Sequence, residues 1–311
     1  MAGHPGPAHE LLQSAAVYPY GPTRFPGGVH RRALRYQGTF GRPGVRFGPD
    51  AVRDAPRAYA YTDILGRGEE AEGFFDIDAG GELLRGVTMA DCGNITVVPS
   101  DVTGNFDKLS QAVEKAIARG AFPVVVGGDH AITFPAVRGF SKFAPLNLVH
   151  FDAHLDYTHD VQGVFHTHGS PIRRCHELPF MEHITSVGIR TARRKPYRES
   201  QEDDNLVITT KRFHQLGPRA VVDLIPQGEN LYITFDIDVM NPVEAPGTGT
   251  PEIGGLGYQE IRECLVELVT RDNLAGFDLV EVAPPYDSSE ITVQLASQLI
   301  IDILAAHFPS E

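Results

Sequence analysis

Two short segments of the sequence carry acidic and imidazole side chains directly behind apolar runs. Residues 150–156 read His-Phe-Asp-Ala-His-Leu-Asp, and residues 235–238 read Phe-Asp-Ile-Asp. Burying a bare carboxylate costs several kcal/mol, so such groups are paired, protonated or bound to a cation. A histidine closes a third apolar run, residues 122–128. The three segments supply the oxygen and nitrogen donors that a two-metal hydrolytic site needs, namely His130, Asp152, His154, Asp156, Asp236 and Asp238.

The spacing of these donors predicts that they converge. In an extended segment residues i, i+2 and i+4 face the same way, so Asp152, His154 and Asp156 can reach one centre. The same alternation applies to Asp236 and Asp238. Carboxylates mixed with imidazoles suit Mn²⁺ and also Fe²⁺, Co²⁺ or Ni²⁺, and the lack of cysteine argues against structural zinc. Salt bridges and helix caps explain one such segment taken alone, whereas all three together favour a metal site.

Length, composition and charge limit the class of protein. The chain has 311 residues with 42% hydrophobic content, and it shows no internal repeat or linker. We therefore predict an irregular arm over residues 1–35 and a single catalytic domain over residues 36–311. The net charge of −13 argues against a nucleic-acid partner. No apolar run approaches ~18 residues, no signal peptide is evident, and three scattered cysteines suit a reducing cytoplasm.

Apolar runs alternate with amphipathic stretches from about residue 86 onward. The runs predict strands at Val87–Ala90, Phe122–Val126, Leu146–Phe151, Ile184–Ile189, Leu206–Thr209, Leu231–Phe235 and Phe277–Val282. The amphipathic stretches predict helices at Phe106–Arg119, Ala131–Phe143, Arg212–Leu224, Gly257–Arg271 and Ser289–His307. This alternation indicates an α/β fold with a mainly parallel sheet covered on both faces. Ligands bind at the carboxyl ends of the strands in such sheets, which is where the donor segments lie.

Several motifs occur in a specific order along the chain. They are Gly127-Gly-Asp-His130, Asp152-Ala-His-Leu-Asp156, Ser186-Val-Gly-Ile-Arg190, Phe235-Asp-Ile-Asp238 and Ala245-Pro-Gly-Thr-Gly-Thr-Pro251. With them the sequence resembles the ureohydrolases, the arginase and agmatinase family, from roughly Arg42 to the C-terminus. The resemblance implies a three-layer α/β/α fold with a mainly parallel sheet of about eight strands. It also implies a hydrolase that cleaves a C–N bond of a linear amidine and releases urea.

The resemblance further implies two Mn²⁺ ions per subunit, with Ni²⁺ or Co²⁺ as other options. One ion would be held by His130, Asp152, Asp156 and Asp236. The other would be held by His154, Asp152, Asp236 and Asp238, with bridging carboxylates. Asp156 would thereby belong to the catalytic centre as well as to the metal site. The family also assembles as homotrimers or homohexamers, which the resemblance implies here.

Two further positions match functional residues of the family. His168 stands where the family has a proton-shuttling histidine, and Glu281 stands where a carboxylate grips the guanidinium. The alternative for His168 is a solvated loop histidine, since His159 and His166 lie nearby in the sequence. The alternative for Glu281 is a salt-bridge partner at a strand end. Asp160 is an acidic residue that would suit a cationic substrate tail. Asp129 and the arginines of the Arg42-Pro-Gly-Val-Arg46 loop are assigned structural roles.

The chain also departs from the family pattern. Residues 29–38 are basic where agmatinase-like members have an apolar first strand, and Tyr36 occupies the approximate position of an acid. Asn241 follows the second acidic motif and is interpreted as a turn residue. Residues 157–167 lack the Asn and Ser pattern with which arginases hold an amino acid, and Val164 and Phe165 suit a less polar tail. These features favour the agmatinase-like branch over arginase.

Agmatine, cleaved to putrescine and urea, is the first substrate hypothesis. The alternatives within the family are a guanidino acid, such as 4-guanidinobutanoate or 3-guanidinopropanoate, and free guanidine processed with Ni²⁺. Two hypotheses come from other classes: a metal-dependent deacetylase and a catalytically silent partner subunit. All the predicted metal ligands are present, and no His-His pair of the deacetylase kind occurs in the sequence. Both observations favour the hydrolase acting on guanidino compounds.

Overall fold

A computed structural model describes residues 42–55, 74–77 and 80–309. The predicted arm over residues 1–35 lies outside this part of the chain, as does the basic stretch 29–38 with Tyr36. The loop that starts at Arg42 is the first described segment. Arg42 donates to the Pro246 carbonyl oxygen at 3.4 Å and stacks over Tyr286, with 4.3 Å to the ring centroid. These contacts agree with a structural role for that arginine.

The described residues contain a six-stranded sheet in the order β3-β8-β7-β4-β5-β6, and all its pairings are parallel. Its strands are β3 (Val124–Val126), β4 (Leu146–Phe151), β5 (Met181–Ile189), β6 (Leu206–Thr209), β7 (Leu231–Asp236) and β8 (Leu274–Val280). A separate antiparallel hairpin joins β1 (Phe74–Asp76) and β2 (Gly81–Leu83). The parallel pairings require crossover connections, and helices provide most of them.

The helices are distributed on both faces of the sheet. They are α1 (Gly48–Asp54), α2 (Val102–Ile117), α3 (Thr133–Arg138), α4 (Pro171–His176), α5 (Arg194–Glu202), α6 (Thr210–Leu216), α7 (Pro218–Leu224), α8 (Tyr258–Arg271) and α9 (Ile291–His307). Alternate strand residues enter two separate cores. Val149 and Phe151 pack with residues of α1 and α6–α9, whereas Leu148 packs with residues of α2–α4. The result is the predicted three-layer α/β/α architecture.

Local sequence signals set several element boundaries. Helix α2 begins four residues before the prediction because the Asp101 carboxylate caps it, accepting from the Gly104 backbone N–H at 2.9 Å. The predicted helix over residues 212–224 is two helices, since Gly217, with φ of 79°, and Pro218 break it. The predicted helix over residues 131–143 is divided into two short 3₁₀ turns and α3.

The strand number differs from the prediction of about eight. The part of the chain that the structure describes holds six strands in the main sheet. Residues 87–90, predicted as a strand, pair with no neighbour among the described residues and form an irregular segment that is half-buried or exposed. Val87 and Met89 pack on the core beside the sheet instead. No described helix is both long enough and apolar enough to cross a membrane.

Candidate metal centre and active site

The carboxyl ends of four adjacent strands, β3, β8, β7 and β4, meet at one edge of the sheet. His130 follows β3, Asp152 follows β4, Asp236 ends β7 and Glu281 follows β8. All four of these side chains are buried. Parallel strands therefore bring together at one edge the residues that the sequence separates by up to about 150 positions.

His130 faces three carboxylates with one ring nitrogen. Its Nδ1 atom lies 3.2 Å from the Oδ2 atoms of Asp152, Asp156 and Asp236. Among the described residues, this buried Nδ1 atom nevertheless has no hydrogen-bond partner of acceptable geometry. One imidazole nitrogen and three carboxylate oxygens that share a space without hydrogen bonding have the composition and arrangement of a divalent-cation site. These four residues form the first predicted ligand group.

The other ring nitrogen of His130 enters a buried hydrogen-bond chain. Its Nε2 atom lies 3.0 Å from the Thr234 hydroxyl, which donates to Asp278 Oδ1 at 2.6 Å. The Tyr232 hydroxyl donates to the second oxygen of Asp278 at 2.8 Å. Because the Thr234 proton is used toward Asp278, Thr234 accepts from His130 Nε2–H, and Nδ1 keeps its lone pair for a cation. The sequence did not predict this hydrogen-bond network.

His154 gathers the second group of carboxylates. Its Nδ1 atom lies 3.0 Å from Asp238 Oδ2 and 3.4 Å from Asp152 Oδ1. Asp152 thus contacts both histidines, one with each oxygen, and occupies the position of a bridging ligand. The Thr250 hydroxyl donates to Asp238 Oδ2 at 3.0 Å and fixes that carboxylate from outside the group.

Backbone amides orient the carboxylates. The Oδ1 atom of Asp152 accepts from the His154 N–H at 2.6 Å, and that of Asp236 accepts from the Asp238 N–H at 2.9 Å. Asp238 Oδ1 accepts from the Ala153 N–H at 3.1 Å. A backbone hydrogen bond thereby holds one oxygen of each carboxylate. This fixes the carboxylate in the orientation in which its other oxygen faces a histidine.

The donors converge by a different route from the predicted one. Strand β4 ends at Phe151, and Asp156 reaches the centre with a left-handed backbone, φ 48°. Asp238 lies in a 3₁₀ turn, so it joins His154 while Asp236 joins His130. The expectation that strand alternation alone brings these residues together is therefore wrong in its reason. A left-handed non-glycine residue is strained backbone, which is typical of functional sites.

Acidic and basic groups of the centre have pKa values far from their usual ranges. Burial, followed by the neighbouring Asp238 and Asp152 carboxylates, raises the pKa of Asp236 well above its usual range. Burial alone would lower the pKa of His130, but its contacts with Asp152, Asp156 and Asp236 outweigh burial and raise it. Buried carboxylates that repel each other would be relieved by divalent cations, so this donor set fits the metal site that the motifs predict.

A further histidine that the prediction left without a role supports the centre. The Nε2 atom of His150 lies 2.8 Å from Asp152 Oδ2, and its Nδ1 atom lies 3.0 Å from the Ser186 hydroxyl. Both ring nitrogens are engaged, so His150 holds Asp152 in place. Its position two residues before Asp152 in an extended strand was the available signal.

Glu281 combines a strained backbone with an uncommitted oxygen. Its φ is 63°, and its Oε1 atom accepts from the His130 backbone N–H at 2.8 Å. The buried Oε2 atom makes no hydrogen bond to a described residue. Burial, with the Asp236 and Asp129 carboxylates, raises the pKa of Glu281. This side chain is poised to accept hydrogen bonds from a ligand.

A cavity of about 370 Å³ lies against the two groups and has the size of a small-molecule site. Its lining includes His154, Asp156, Asp236, Glu281, His166 and His168. Burial lowers the pKa of His168, so its imidazole is neutral near neutral pH. His166 stacks on Phe134, with ring centroids 5.7 Å apart, and its packing is that of a wall residue.

Asp160 lies apart from this cavity. It is exposed, accepts from the Gly163 N–H at 2.8 Å and lies 3.1 Å from His159 Nδ1. Neither Asp160 nor His159 is among the residues that line the cavity. The geometry therefore gives no support to the predicted contact between Asp160 and substrate, because its carboxylate closes its own loop turn.

Arg190, in the third motif, stabilises the loop that carries Asp238. Its Nη2 atom donates to the backbone oxygens of Asp238 at 2.6 Å and Glu252 at 3.0 Å. Its Nη1 atom donates to the Val239 oxygen at 3.2 Å. Backbone carbonyls accept from both terminal nitrogens of the guanidinium, so this arginine fixes the loop that carries Asp238.

Comparisons with known proteins agree with this geometry. The model of the Arginase family matches residues 34–306. The chain is 33% identical to the mitochondrial guanidino acid hydrolase of Homo sapiens, over 86% of this chain and 75% of that protein. It is 32% identical to the agmatinase of Bacillus subtilis, over 85% of this chain and 86% of that protein.

A solved structure gives the same result for the fold. Proclavaminate amidino hydrolase from Streptomyces clavuligerus superimposes with a TM-score of 0.75 at 31% identity, covering 86% of each chain. The family match over residues 34–306 includes both ligand groups. The chain therefore belongs to the Arginase family and is a hydrolase that cleaves C–N bonds of guanidino compounds.

Proposed function

We propose that the protein hydrolyses the guanidinium group of a small guanidino compound to urea and an amine at a two-metal centre. The observation that carries this proposal is the arrangement around His130 Nδ1, which lies 3.2 Å from three carboxylate oxygens without hydrogen bonding to them. A cavity of suitable size adjoins it. We assign the catalytic unit to residues 36–311.

In this proposal each ion has its own histidine. His130, Asp152, Asp156 and Asp236 would hold one, and His154, Asp152, Asp236 and Asp238 would hold the other. Mn²⁺ is the proposed metal, with Ni²⁺ and Co²⁺ as alternatives, because the donors are carboxylates and imidazoles. Two bound cations lower the pKa of coordinated water and so provide a nucleophile at neutral pH.

Glu281 is proposed to hold the guanidinium of the substrate. Its Oε2 atom is buried and free of described hydrogen-bond partners, and the His130 N–H fixes its Oε1 atom. A carboxylate matches the planar fork of a guanidinium, so the pair would orient the reacting carbon toward the metal groups. The left-handed backbone of Glu281 aims the side chain inward, and its strain is consistent with a binding role.

His168 is proposed to move the proton that the leaving amine requires. It lines the cavity, and its lowered pKa leaves a neutral imidazole that can accept a proton and pass it on. His166 also lines the cavity, but it packs against the Phe106 and Phe134 rings. We therefore prefer His168 for this step.

The substrate tail is the finer part of the proposal. The motifs favour agmatine, and the human relative is a guanidino acid hydrolase, so cationic and anionic tails are both candidates. The loop over residues 157–167 lacks the Asn and Ser pattern expected for an amino-acid tail, which disfavours arginine. Assembly as a homotrimer or homohexamer and a cytoplasmic location are proposed as well. No disulfide links any two of the three cysteines, in keeping with a reducing compartment.

A substrate panel tests this proposal. The protein would be stripped of metal, reloaded separately with Mn²⁺, Ni²⁺ or Co²⁺, and offered agmatine, arginine, 4-guanidinobutanoate, 3-guanidinopropanoate and guanidine. We expect urea and the matching amine in equal amounts from one of the linear compounds. Silence across the panel in protein that holds its metals would contradict urea release, and deacetylation of an acetylated amine would then favour the deacetylase hypothesis.

A further inference from the structure

Among the described residues that line the cavity, the only arginine or lysine is Arg193. We propose that Arg193 binds a carboxylate at the tail of the substrate, so that the natural substrate class is a linear guanidino acid rather than a guanidino amine. The inference rests on the proposed function, since it concerns the other end of the molecule whose guanidinium Glu281 would hold.

The backbone places Arg193 near the ligand group of His154. Thr191 pairs with His154 in a parallel bridge, and Arg193 lies two residues farther on in an extended conformation, φ −79° and ψ 145°. Residues i and i+2 of an extended segment lie on one side, about 6.6 Å apart along the chain. Thr191, Ala192 and Arg193 all line the cavity. A short aliphatic chain can therefore connect the reacting end with the Arg193 guanidinium.

The charge of Arg193 is uncommitted within the described part of the chain. Its side chain is exposed, and no described carboxylate lies within ion-pair distance of it. Neighbouring cations differ: Lys195 pairs with Glu199 at 3.7 Å, and Arg190 is used by backbone carbonyls. A guanidinium that keeps its donors free at the wall of a binding cavity suits a carboxylate ligand, which it can bind through two parallel hydrogen bonds.

The acids of the cavity do not offer a matching site for a cationic tail. The acidic lining residues are Asp156, Asp236, Glu281 and Asp129, and the first three belong to the proposed metal and guanidinium sites. Asp129 is buried and accepts from the Ala131 N–H at 3.0 Å. The terminal ammonium of agmatine would instead approach Arg193, and like charges at short range oppose binding. The carboxylate of a guanidino acid reverses the sign of that contact.

Steady-state kinetics on the Mn²⁺-loaded protein test the inference. Urea release would be measured with 4-guanidinobutanoate, 3-guanidinopropanoate and agmatine for the wild type, Arg193→Gln and Arg193→Glu. Arg194→Gln is the matched control, because Arg194 is the adjacent exposed arginine and does not line the cavity. We expect the wild type to prefer a guanidino acid. Arg193→Gln should lower the ratio of guanidino-acid to agmatine kcat/KM by about 10- to 100-fold, mainly through KM.

The remaining outcomes separate the two proposals. Arg193→Glu should shift the ratio further toward agmatine, and Arg194→Gln should leave the ratio at its wild-type value. A wild type that prefers agmatine, or an Arg193→Gln variant that loses both substrate types equally, overturns the inference while urea release stands.

Binding supplies a readout that does not depend on turnover. Calorimetric titration of the metal-loaded protein with 4-aminobutanoate and with putrescine compares the two tails without the reacting group. Tighter binding of 4-aminobutanoate that is lost in Arg193→Gln and kept in Arg194→Gln supports the inference even if urea release fails. Equal binding of the two amines, or binding indifferent to Arg193, contradicts it.

Discussion

Asp236 is the carboxylate on which the dinuclear assignment depends most. Its Oδ1 atom is held by the Asp238 N–H and its Oδ2 atom faces His130 Nδ1. Both proposed ligand sets include it. We expect Asp236→Ala to lose both bound metal and urea release, because both cations would be under-coordinated. Metal content after dialysis and urea release measure these losses. Asp160→Ala, a change to an exposed carboxylate away from the cavity, is the control, and hydrolysis by Asp236→Ala at a near wild-type rate would refute the assignment.

His168 is expected to act on protons and not on metal. It lines the cavity, but it is outside both ligand groups. We predict that His168→Ala retains its metal and loses roughly 10²-fold in kcat, since general acid–base catalysis contributes about that much or more. His159→Ala, which changes an exposed histidine outside the cavity, should keep its rate. An unchanged rate in His168→Ala would transfer the role to His166.

Residue types and spacing pointed to the six side chains that the structure brings together at the sheet edge, because buried carboxylates and imidazoles behind strands are costly without a cation. Their role as metal ligands stays a prediction. Residue types and spacing could not predict which donors share a histidine. That depends on the left-handed Asp156 and on the 3₁₀ turn at Asp238. The spacing of His150 from Asp152 was visible in the sequence, but its second partner, Ser186, is known only when β4 and β5 are paired.

At the scale of elements, β7 and β8 act as a support for the metal site. Thr234 on β7 links His130 Nε2 to Asp278 on β8 and so leaves His130 Nδ1 available. We expect Thr234→Val to weaken Mn²⁺ affinity by about 10- to 100-fold, the usual cost of losing such a supporting hydrogen bond. Competition with a chelator measures the affinity. Thr234→Ser keeps the hydroxyl and should bind as the wild type does, and equal affinities for all three proteins would contradict the role.

The long elements were predicted more accurately than the short ones. Periodicity found the buried strands β4 and β7, the amphipathic α8 and the mostly buried α9 within a few residues, because burial dominates there. It placed a strand at residues 87–90, where apolar side chains cover the core without joining a sheet. It missed the break at Gly217, whose left-handed backbone interrupts an otherwise continuous helical pattern. Local turn chemistry decides such boundaries.

For the whole molecule, metal should contribute to stability as well as to catalysis. Repelling buried carboxylates from β4 and β7 lie at the centre of the sheet edge, and a cation bound only by the folded chain stabilises it. We predict that chelation lowers Tm by several degrees and that Mn²⁺ restores it. At a free ion concentration of 100 times Kd, binding adds about 2.7 kcal/mol to the free energy of unfolding. In scanning calorimetry, Mn²⁺ should not raise the Tm of Asp236→Ala. A wild-type Tm that changes neither on chelation nor on addition of Mn²⁺ would argue against the metal site.

The most direct measurement of the central claim is urea release as a function of Mn²⁺ added to metal-free protein, with 4-guanidinobutanoate and agmatine as substrates. The two ligand groups predict no urea without metal, a rise with added Mn²⁺ and a plateau at two ions per chain, with amine formed in equal amount. Urea formation that needs no metal, a plateau at one ion, or no urea from either compound at full loading would contradict the two-metal hydrolase.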